Sequence, residues 1–560
     1  MNHRSTEQPV YEDERLPPVV EPRQWPPAGW EWAVAVLGSV ASMVLVAWLA
    51  RDLWFFADAW DFVAFRDLNS LDSLLEPHGG HWSTPTVVLN RVLYSLAGLD
   101  YWPWHYIPRL IAYGGLCLVC WHTIRWRGAD PTIALGVLGV LLVFGSSGWH
   151  NAATVGNPIA LSASLVVARV LQDHDRPGPR ERLLVGGLLA LASAGLGVAI
   201  LSGTSLAVLL ARRLGRWWPS LAGAWAVYGI WYLSYNRGGS TTVDRSTNTL
   251  LEAPSVALEV IEAGLERTLQ TPATWGATLS IAVGAAIVFL AARRRLGLFE
   301  GVFLATALAY LAMVVLTRIA AGQAQINAIR YGYNLTFLLV PVLIPQIRVH
   351  GNRALRWGLL GLIIAVGAGN VRQLDISTNF WEVRSQASRQ VVETTAALIA
   401  AGEPADPTSA VDFRAGMLRV SGVQRLVADG WTPDGSDNPE LQASARGQLR
   451  MRILPTANIR PGGVLTDVPI EDGCAVVPPD ATLTTRVVDA TTLRVEGPRN
   501  SIVRLLWLDD FGPGERLIEF TDALSTGRAF VSIVNPDAGA ELTVVAPPQG
   551  RTTVCGLALS

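Results

Sequence analysis

Two aspartates three residues apart, Asp58 and Asp61, stand in the segment RDLWFFADAWDFVAFRDLNSLDSLLEPHGGHWS (51–83), directly after the first apolar run of the chain. On a helix or tight turn this spacing puts both carboxylates on one face. A carboxylate just outside a membrane serves as a general base toward a hydroxyl or holds a divalent cation such as Mg or Mn. The rival reading is an acidic interfacial loop without chemistry. The same segment carries Glu76, His78, His81 and Trp82 in EPHGGHW. Two histidines and a glutamate this close are metal-ligand types, and Asp58, His78 and His81 are the residues such a metal would use, but the spacing matches no zinc signature. Hydrogen bonding to substrate hydroxyls or phosphate is the reading adopted, with a tight turn at Gly79–Gly80. Ionisable side chains beside a membrane span are costly unless they line an aqueous or protein-lined cavity, so the cluster reads as a functional site. Phe62, Phe65, Leu68, Leu71 and Leu75 recur at helical spacing, which predicts an amphipathic interfacial helix over 62–75.

Three further sets of residues have chemical meaning. In RIAAGQAQINAIRYGY (318–333), Arg318 and Arg330 suit a phosphate leaving group through bidentate hydrogen bonds, and Tyr331 and Tyr333 offer aromatic surface to a sugar or lipid. The short loop GWHNAATVGN (148–157) adds His150 and Asn151. Cys117 and Cys120 lie in an apolar run and read as packing residues, whereas Cys474 and Cys555 lie in the polar C-terminal part. If that part is extracytoplasmic, the latter two suit a disulfide.

The elements that must hold these residues are membrane spans. Of the 560 residues, 50% are hydrophobic and 16% charged, with 21 tryptophans; a polytopic membrane protein with a soluble appendage fits those values. A net charge of −2 speaks against a nucleic-acid partner. Residues 1–29 are polar and Pro-rich and read as a disordered cytoplasmic terminus. Eleven apolar stretches follow, at about 31–50, 105–124, 131–147, 156–171, 182–197, 198–212, 218–235, 274–292, 299–317, 333–347 and 356–372. Residues 84–100 are apolar but short and read as a re-entrant or interfacial helix. Arginines follow every even-numbered stretch, which puts those ends and the N-terminus in the cytoplasm. The first outer loop is then 51–104, and the C-terminus lies outside. Residues 373–404 read as a helical connector. From 405 to 560, short alternating segments such as LRMRIL, LRVEG, IVRLLWL and AFVSIV, parted by Gly, Pro, Asp and Asn, predict an extracytoplasmic β-sandwich.

A first span followed at once by acids in a long outer loop, many further spans, a late outer Arg–Tyr segment and a soluble C-terminal domain resemble the GT-C superfamily of glycosyltransferases. More narrowly, FADAWDF, EPHGGHWS and RYGY resemble the acidic-Trp-Asp-Phe and Glu-Pro-His-Asn-x-His-Trp motifs of a group of bacterial membrane proteins, over roughly residues 30–372. The C-terminal part is similar, more loosely, to carbohydrate-binding β-sandwiches of actinobacterial arabinosyltransferases. The resemblance implies an enzyme of the plasma membrane that moves a sugar, with inversion, from a polyprenyl-phosphate donor to a cell-envelope glycan or lipid acceptor. An acid of the first outer loop would be its base, with Asp58 the best match and Asp61 second. The chain departs from the pattern in having Ala59 between those acids, Gly79 in place of Asn, and His150 and Asn151 where a second-loop acid is common. These departures leave metal dependence open. A lipid or glycan transporter and a non-catalytic glycan-binding surface protein are the rival classes. The ionisable residues cluster outside the apolar runs, not within them as translocation pathways require, and eleven spans are excessive for an anchor.

Overall fold

A computed structural model describes residues 26–55, 59–78, 81–144, 156–193, 196–236, 247–271, 273–293, 296–318, 329–347, 353–405, 407, 409, 411 and 418–449, and, by their backbone, nine strands within 451–555. Each of the eleven apolar stretches falls on a helix. In chain order the helices are α1 (Gly29–Leu49), α2 (Leu71–Leu75), α3 (Thr84–Ala97), α4 (Ile107–Trp126), α5 (Pro131–Leu142), α6 (Gly156–Asp173), α7 (Pro179–Ala192), α8 (Val198–Leu210), α9 (Leu214–Tyr235), α10 (Thr247–Leu269), α11 (Gly276–Ala292), α12 (Leu298–Arg318), α13 (Ile329–Leu343), α14 (Arg353–Ala400), α15 (Val420–Ala428) and α16 (Pro439–Leu449). Among the described residues four helical stretches are long and apolar enough to cross a bilayer: Gly29–Leu49, Tyr101–Trp126, Leu298–Leu316 and Arg353–Ala400. The protein is thus a helical membrane-type protein.

Two apolar cores organise it. The larger lies inside the helical bundle and contains Leu116, Trp121, Trp217, Phe299, Phe303 and Phe337. Its helices approach closely where small residues face one another. A Cβ added to Gly332 of α13 would come within 2.4 Å of Gly264 Cα in α10, and Thr268 and Thr336, one turn further along each helix, share a 2.8 Å hydrogen bond. This crossing fixes the start of α13, which carries Arg330. Gly332→Ala therefore forces the two helices apart and is expected to cost about 1–3 kcal/mol. Gly284→Ala in α11, where an added Cβ meets nothing within 4 Å, is expected to leave the thermal midpoint of the purified protein unchanged or raised.

At one end of the bundle, arginines pair with acids between helices. Arg125 of α4 grips Glu31 of α1 at 2.6 and 3.1 Å. Arg127 pairs with Glu300 of α12, Arg213 with Asp175, and Arg356 of α14 with Asp130 before α5. The second core caps the opposite end. It joins Phe55, Trp60 and Phe62 of the segment after α1 to Tyr101, to Leu374 and Val392 of α14, and to Val423 and Leu426 of α15.

Several expectations are corrected. No continuous helix covers 62–75; residues 61–65 form a π-helical turn, Arg66 is extended (φ −92°, ψ 155°), and a five-residue helix follows. Phe62, Val63 and Ala64 are wholly buried, so the apolar period there serves a protein core and not a bilayer surface. The region 236–273, read as a loop, contains α10, whose four glutamates mask its apolar face from a hydropathy reading. The helical periodicity of the connector 373–404 is seen as the continuation of α14, which runs unbroken for 48 residues to Ala400. Residues 420–428 and 439–449, expected to be β-rich, are helices.

Strands begin at β1 (Met451–Leu454) and continue through β2 (Cys474–Val477), β3 (Thr482–Arg486), β4 (Thr491–Glu496), β5 (Val503–Leu508), β6 (Leu517–Phe520), β7 (Arg528–Ile533), β8 (Glu541–Val545) and β9 (Thr552–Cys555). They form two antiparallel sheets, ordered β1-β7-β4-β9-β2 and β3-β8-β5-β6. In the β2–β9 pair, Cys474 stands opposite Cys555; the side chains of both lie outside the described residues.

Candidate functional site

The segment after α1 wraps around one guanidinium. Arg66, whose side chain is 3% exposed, donates from Nη2 and Nε to Asp61 Oδ2 at 2.8 and 3.2 Å. Its Nη1 donates to the Ser73 and Glu76 carbonyls, at 3.1 Å each, and to Glu76 Oε2 at 3.0 Å. Nη2 also reaches the Pro77 carbonyl at 3.3 Å. One planar, permanently charged group thus satisfies carbonyls at the end of α2 that the short helix leaves without partners. The local sequence dictates this. Ser70 caps α2 through its hydroxyl, which accepts from Ser73 N at 3.2 Å, and Pro77 stops it.

Asp61 Oδ2 accepts a third bond, from His78 Nδ1 at 2.8 Å. An ionised carboxylate only accepts, so the imidazole proton on that side is on Nδ1. His78 and His81 exchange both backbone hydrogen bonds at 2.9 Å; Gly79 and Gly80, where a tight turn is expected, lie outside the described residues. The His78 ring lies 4.6 Å from that of Phe62. Trp82 donates from Nε1 to Thr84 Oγ1 at 2.6 Å and stacks on Trp231 of α9, with centroids 5.5 Å apart. Trp231 in turn donates to the Leu75 carbonyl at 2.7 Å.

Burial raises the Asp61 carboxyl, but the hydrogen bond from His78 and the Arg66 charge more than offset it and hold the group below its ordinary 3.8. A carboxyl with a lowered folded value contributes stability that is complete above its ordinary value and is lost as the pH falls through the folded one. Acidification from pH 6 to pH 3 is therefore expected to reduce amide-exchange protection across 61–82. That part of the loss should be absent in Asp61→Asn, which has no carboxyl to titrate.

Distant parts of the chain cover the segment. Trp54 N donates to Ser385 Oγ of α14 at 3.2 Å. Arg425 of α15 donates to the Phe65 carbonyl at 3.2 Å and pairs with Asp67 at 3.5 Å. Gly422 lies so close to the Phe65 ring that an added Cβ would stand 2.7 Å from Cζ. From the other side, Arg91 of α3 donates to the Val63 carbonyl. Beneath lies a buried polar network of Asn90, Tyr101 and Arg109. Gly156 N at the start of α6 donates to Thr86 Oγ1 of α3 at 3.2 Å, which brings the end of the 148–157 loop to this same group of elements.

The expected site residues thus divide. Asp61 and Glu76 meet at Arg66 and His78 joins them through Asp61; His81 pairs with the His78 backbone, and Trp82 turns to Thr84 and Trp231. Asp58, His150 and Asn151 lie outside the described residues, as do the side chains of Arg318 and Arg330. Tyr331 and Tyr333 are corrected: both are buried in the bundle core, with Tyr333 packed on Tyr113, Phe144 and Phe337, and they offer no open surface. Among the described residues no group of three or more His, Cys, Asp or Glu is placed to hold a metal. Sequence reasoning missed Arg66, Arg91, Arg109 and Arg425; the available signal was an arginine set among apolar residues, as in LNRVL and YIPRLI.

Chemically, the arrangement offers a fixed carboxylate that stays ionised at neutral pH, an imidazole oriented by it, and a buried guanidinium that makes the hairpin rigid. No family model, curated protein or solved structure matches the chain.

Proposed function

We propose that the chain is a multi-pass glycosyltransferase of the GT-C type in a bacterial plasma membrane, inverting a sugar as it passes from a polyprenyl-phosphate donor to a cell-envelope glycan or lipid. The observation that carries this reading is the Asp61–Arg66–His78 cluster. It is held rigid at the end of α1 and covered by α14 and α15, as a reaction centre requires of its supporting groups. In the mechanism, Asp58 takes the proton of an acceptor hydroxyl, whose oxygen attacks the anomeric carbon. The bond to the donor phosphate breaks on the opposite face. Arg330, with Arg318, stabilises the departing phosphate charge. Asp61 is committed to Arg66 and His78 and is held ionised by them, which makes it a weak base and favours Asp58 for that role; Asp61 is then a positioning residue. Eleven crossings with the N-terminus inside follow from this reading, as does an outer β-sandwich made of the two sheets and closed by a Cys474–Cys555 disulfide. The opposed register of β2 and β9 supports that bond.

The test is sugar transfer or donor hydrolysis by the purified protein with a panel of polyprenyl-phosphate sugars. Turnover of one donor would establish the activity and name the sugar. Absence of turnover with every donor, together with movement of labelled lipid between leaflets, would replace this reading with transport.

A further inference from the structure

The helices α7 and α9 begin side by side at one corner of the bundle, where α8 ends. Ser220 Oγ of α9 donates to the Arg182 carbonyl of α7 at 2.8 Å, and a Cβ added to Gly186 would stand 3.4 Å from Ser220 Cα. Two arginines tie the start of α9 to the turn after α6. Arg216 donates to the Asp175 carbonyl at 3.0 Å. Arg213 donates to the Leu171 carbonyl at 2.9 Å and pairs with the Asp175 carboxylate at 2.6 Å. Residues 171–184 and 209–218, which meet here, hold six arginines against three acids, Asp173, Asp175 and Glu181. Asp175 is taken by Arg213, and Asp173 by Arg169 of α6. Among the described residues, Arg176, Arg180, Arg182, Arg212 and Arg216 have no ion-pair partner. Other arginines at this end of the bundle are matched: Arg125 by Glu31, Arg127 by Glu300 and Arg356 by Asp130. Arg176, Arg180 and Arg212 are exposed. Arg182 is half-buried, and its Nε is buried without a hydrogen-bond partner. The N-termini of α7 and α9 add partial positive charge to the same corner. Within a turn or two the exposed surface becomes apolar: Leu183 is 79% exposed, Leu210 73% and Trp218 59%. Arginines beside an outward tryptophan, over a leucine surface, match the headgroup level of a bilayer.

We propose that this corner binds an anionic glycerophospholipid, its phosphate on the unmatched arginines and its acyl chains along Leu183, Leu210 and Trp218. A guanidinium suits a phosphate in geometry as well as charge, and here several stand open at the surface. The site goes beyond the glycosyltransferase reading and does not rest on it. The helix α9 reaches the segment around Arg66 only at Trp231, which donates to the Leu75 carbonyl. At 1.5 Å per residue, that lies about 20 Å along the axis from Arg216.

The experiment is thermal unfolding of the full detergent-purified chain at low salt, titrated with phosphatidylglycerol, phosphatidylcholine or inorganic phosphate. Phosphatidylglycerol is expected to raise the midpoint by on the order of 3 °C, and the other two to leave it unchanged. Arg176, Arg180 and Arg212 make no hydrogen bond or ion pair among the described residues. The triple variant Arg176→Gln, Arg180→Gln, Arg212→Gln is therefore expected to keep the wild-type midpoint without lipid. Its apparent affinity for phosphatidylglycerol should fall on the order of 100-fold, at about fivefold for each arginine near a lipid surface. A control, Arg293→Gln with Arg353→Gln, removes two exposed arginines at the ends of other helices and is expected to respond as the wild type does. An equal shift from phosphatidylcholine or from inorganic phosphate, a wild-type response in the triple variant, an equal loss in the control, or no shift from any addition would overturn the proposal. Arg180→Gln with Arg212→Gln, expected to lose on the order of 25-fold, decides the matter if the triple variant does not fold. None of these outcomes bears on sugar transfer, and a chain that transfers no sugar would still be expected to show them.

Discussion

Asp58→Asn is expected to lower sugar transfer by about 10²- to 10⁴-fold, the span general-base catalysis supplies, while leaving the thermal midpoint in place. Asp61→Asn is expected to lose transfer by a different route. It removes the charge that faces Arg66 Nη2 at 2.8 Å and leaves a buried guanidinium with only Glu76, which is 65% exposed, as counter-charge. Breaking one partner of such a pair costs about 3–5 kcal/mol, so the midpoint should fall with activity. Measuring transfer and unfolding on the same two preparations separates the roles. Wild-type turnover in Asp58→Asn would remove it as the base. A loss confined to Asp61→Asn, with stability intact, would move the base to Asp61.

Arg66→Ala is expected to be the most damaging single change in the segment after α1. It strips the donor from three carbonyls, at Ser73, Glu76 and Pro77, and from the Asp61 carboxylate at once. Each buried acceptor left unmade costs about 1–3 kcal/mol. Proteolysis should then cut within 66–82 while the helical bundle stays resistant, because the bundle has its own core. Arg66→Lys should recover little: an ammonium is a point donor and does not span the fork that reaches Asp61 on one side and Glu76 on the other. Wild-type protease resistance in Arg66→Ala would show that the apolar contacts of Phe62 and Val63 hold the segment unaided.

The helical framework was legible in the sequence because long apolar runs have few other uses, and each of the eleven falls on a helix. Even the pair divided only by SAGLG is two helices, parted where Gly197 takes φ +57°. The closeness of Asp61, Glu76 and His78 was legible from residue type and proximity, while Asp58 and His150 lie outside the described residues. Arg66 was not: a single arginine in a loop carries no sign that it will be buried and donate to four residues, Asp61, Ser73, Glu76 and Pro77. The interfacial helix was misread because Phe62, Phe65, Leu71 and Leu75 fit a helical period equally well when a π turn and a separate short helix divide them. Residues 420–449 were misread because Gly, Pro and Asp around them resemble strand punctuation, and because nothing local tells that Val423 and Leu426 pack on a segment some 360 residues earlier. Tyr331 illustrates the converse error, since a motif-like aromatic reads as a ligand platform until a glycine crossing draws it into a core.

That long separation has a consequence for how the protein is made. Phe65 reaches its bond with Arg425 across 360 residues of chain. At about 5–20 residues per second, a nascent chain waits roughly 20 to 70 s between synthesis of the segment after α1 and synthesis of the helix that covers it. Throughout that interval Phe65 lacks its contacts with Arg425 and Gly422, whereas Phe62 and Val63 already have His78 and Arg91 within reach. The cover of the candidate site is completed late although the segment it covers is translated early, and a ribosome that stalls before α15 leaves Phe65 without its bond to Arg425.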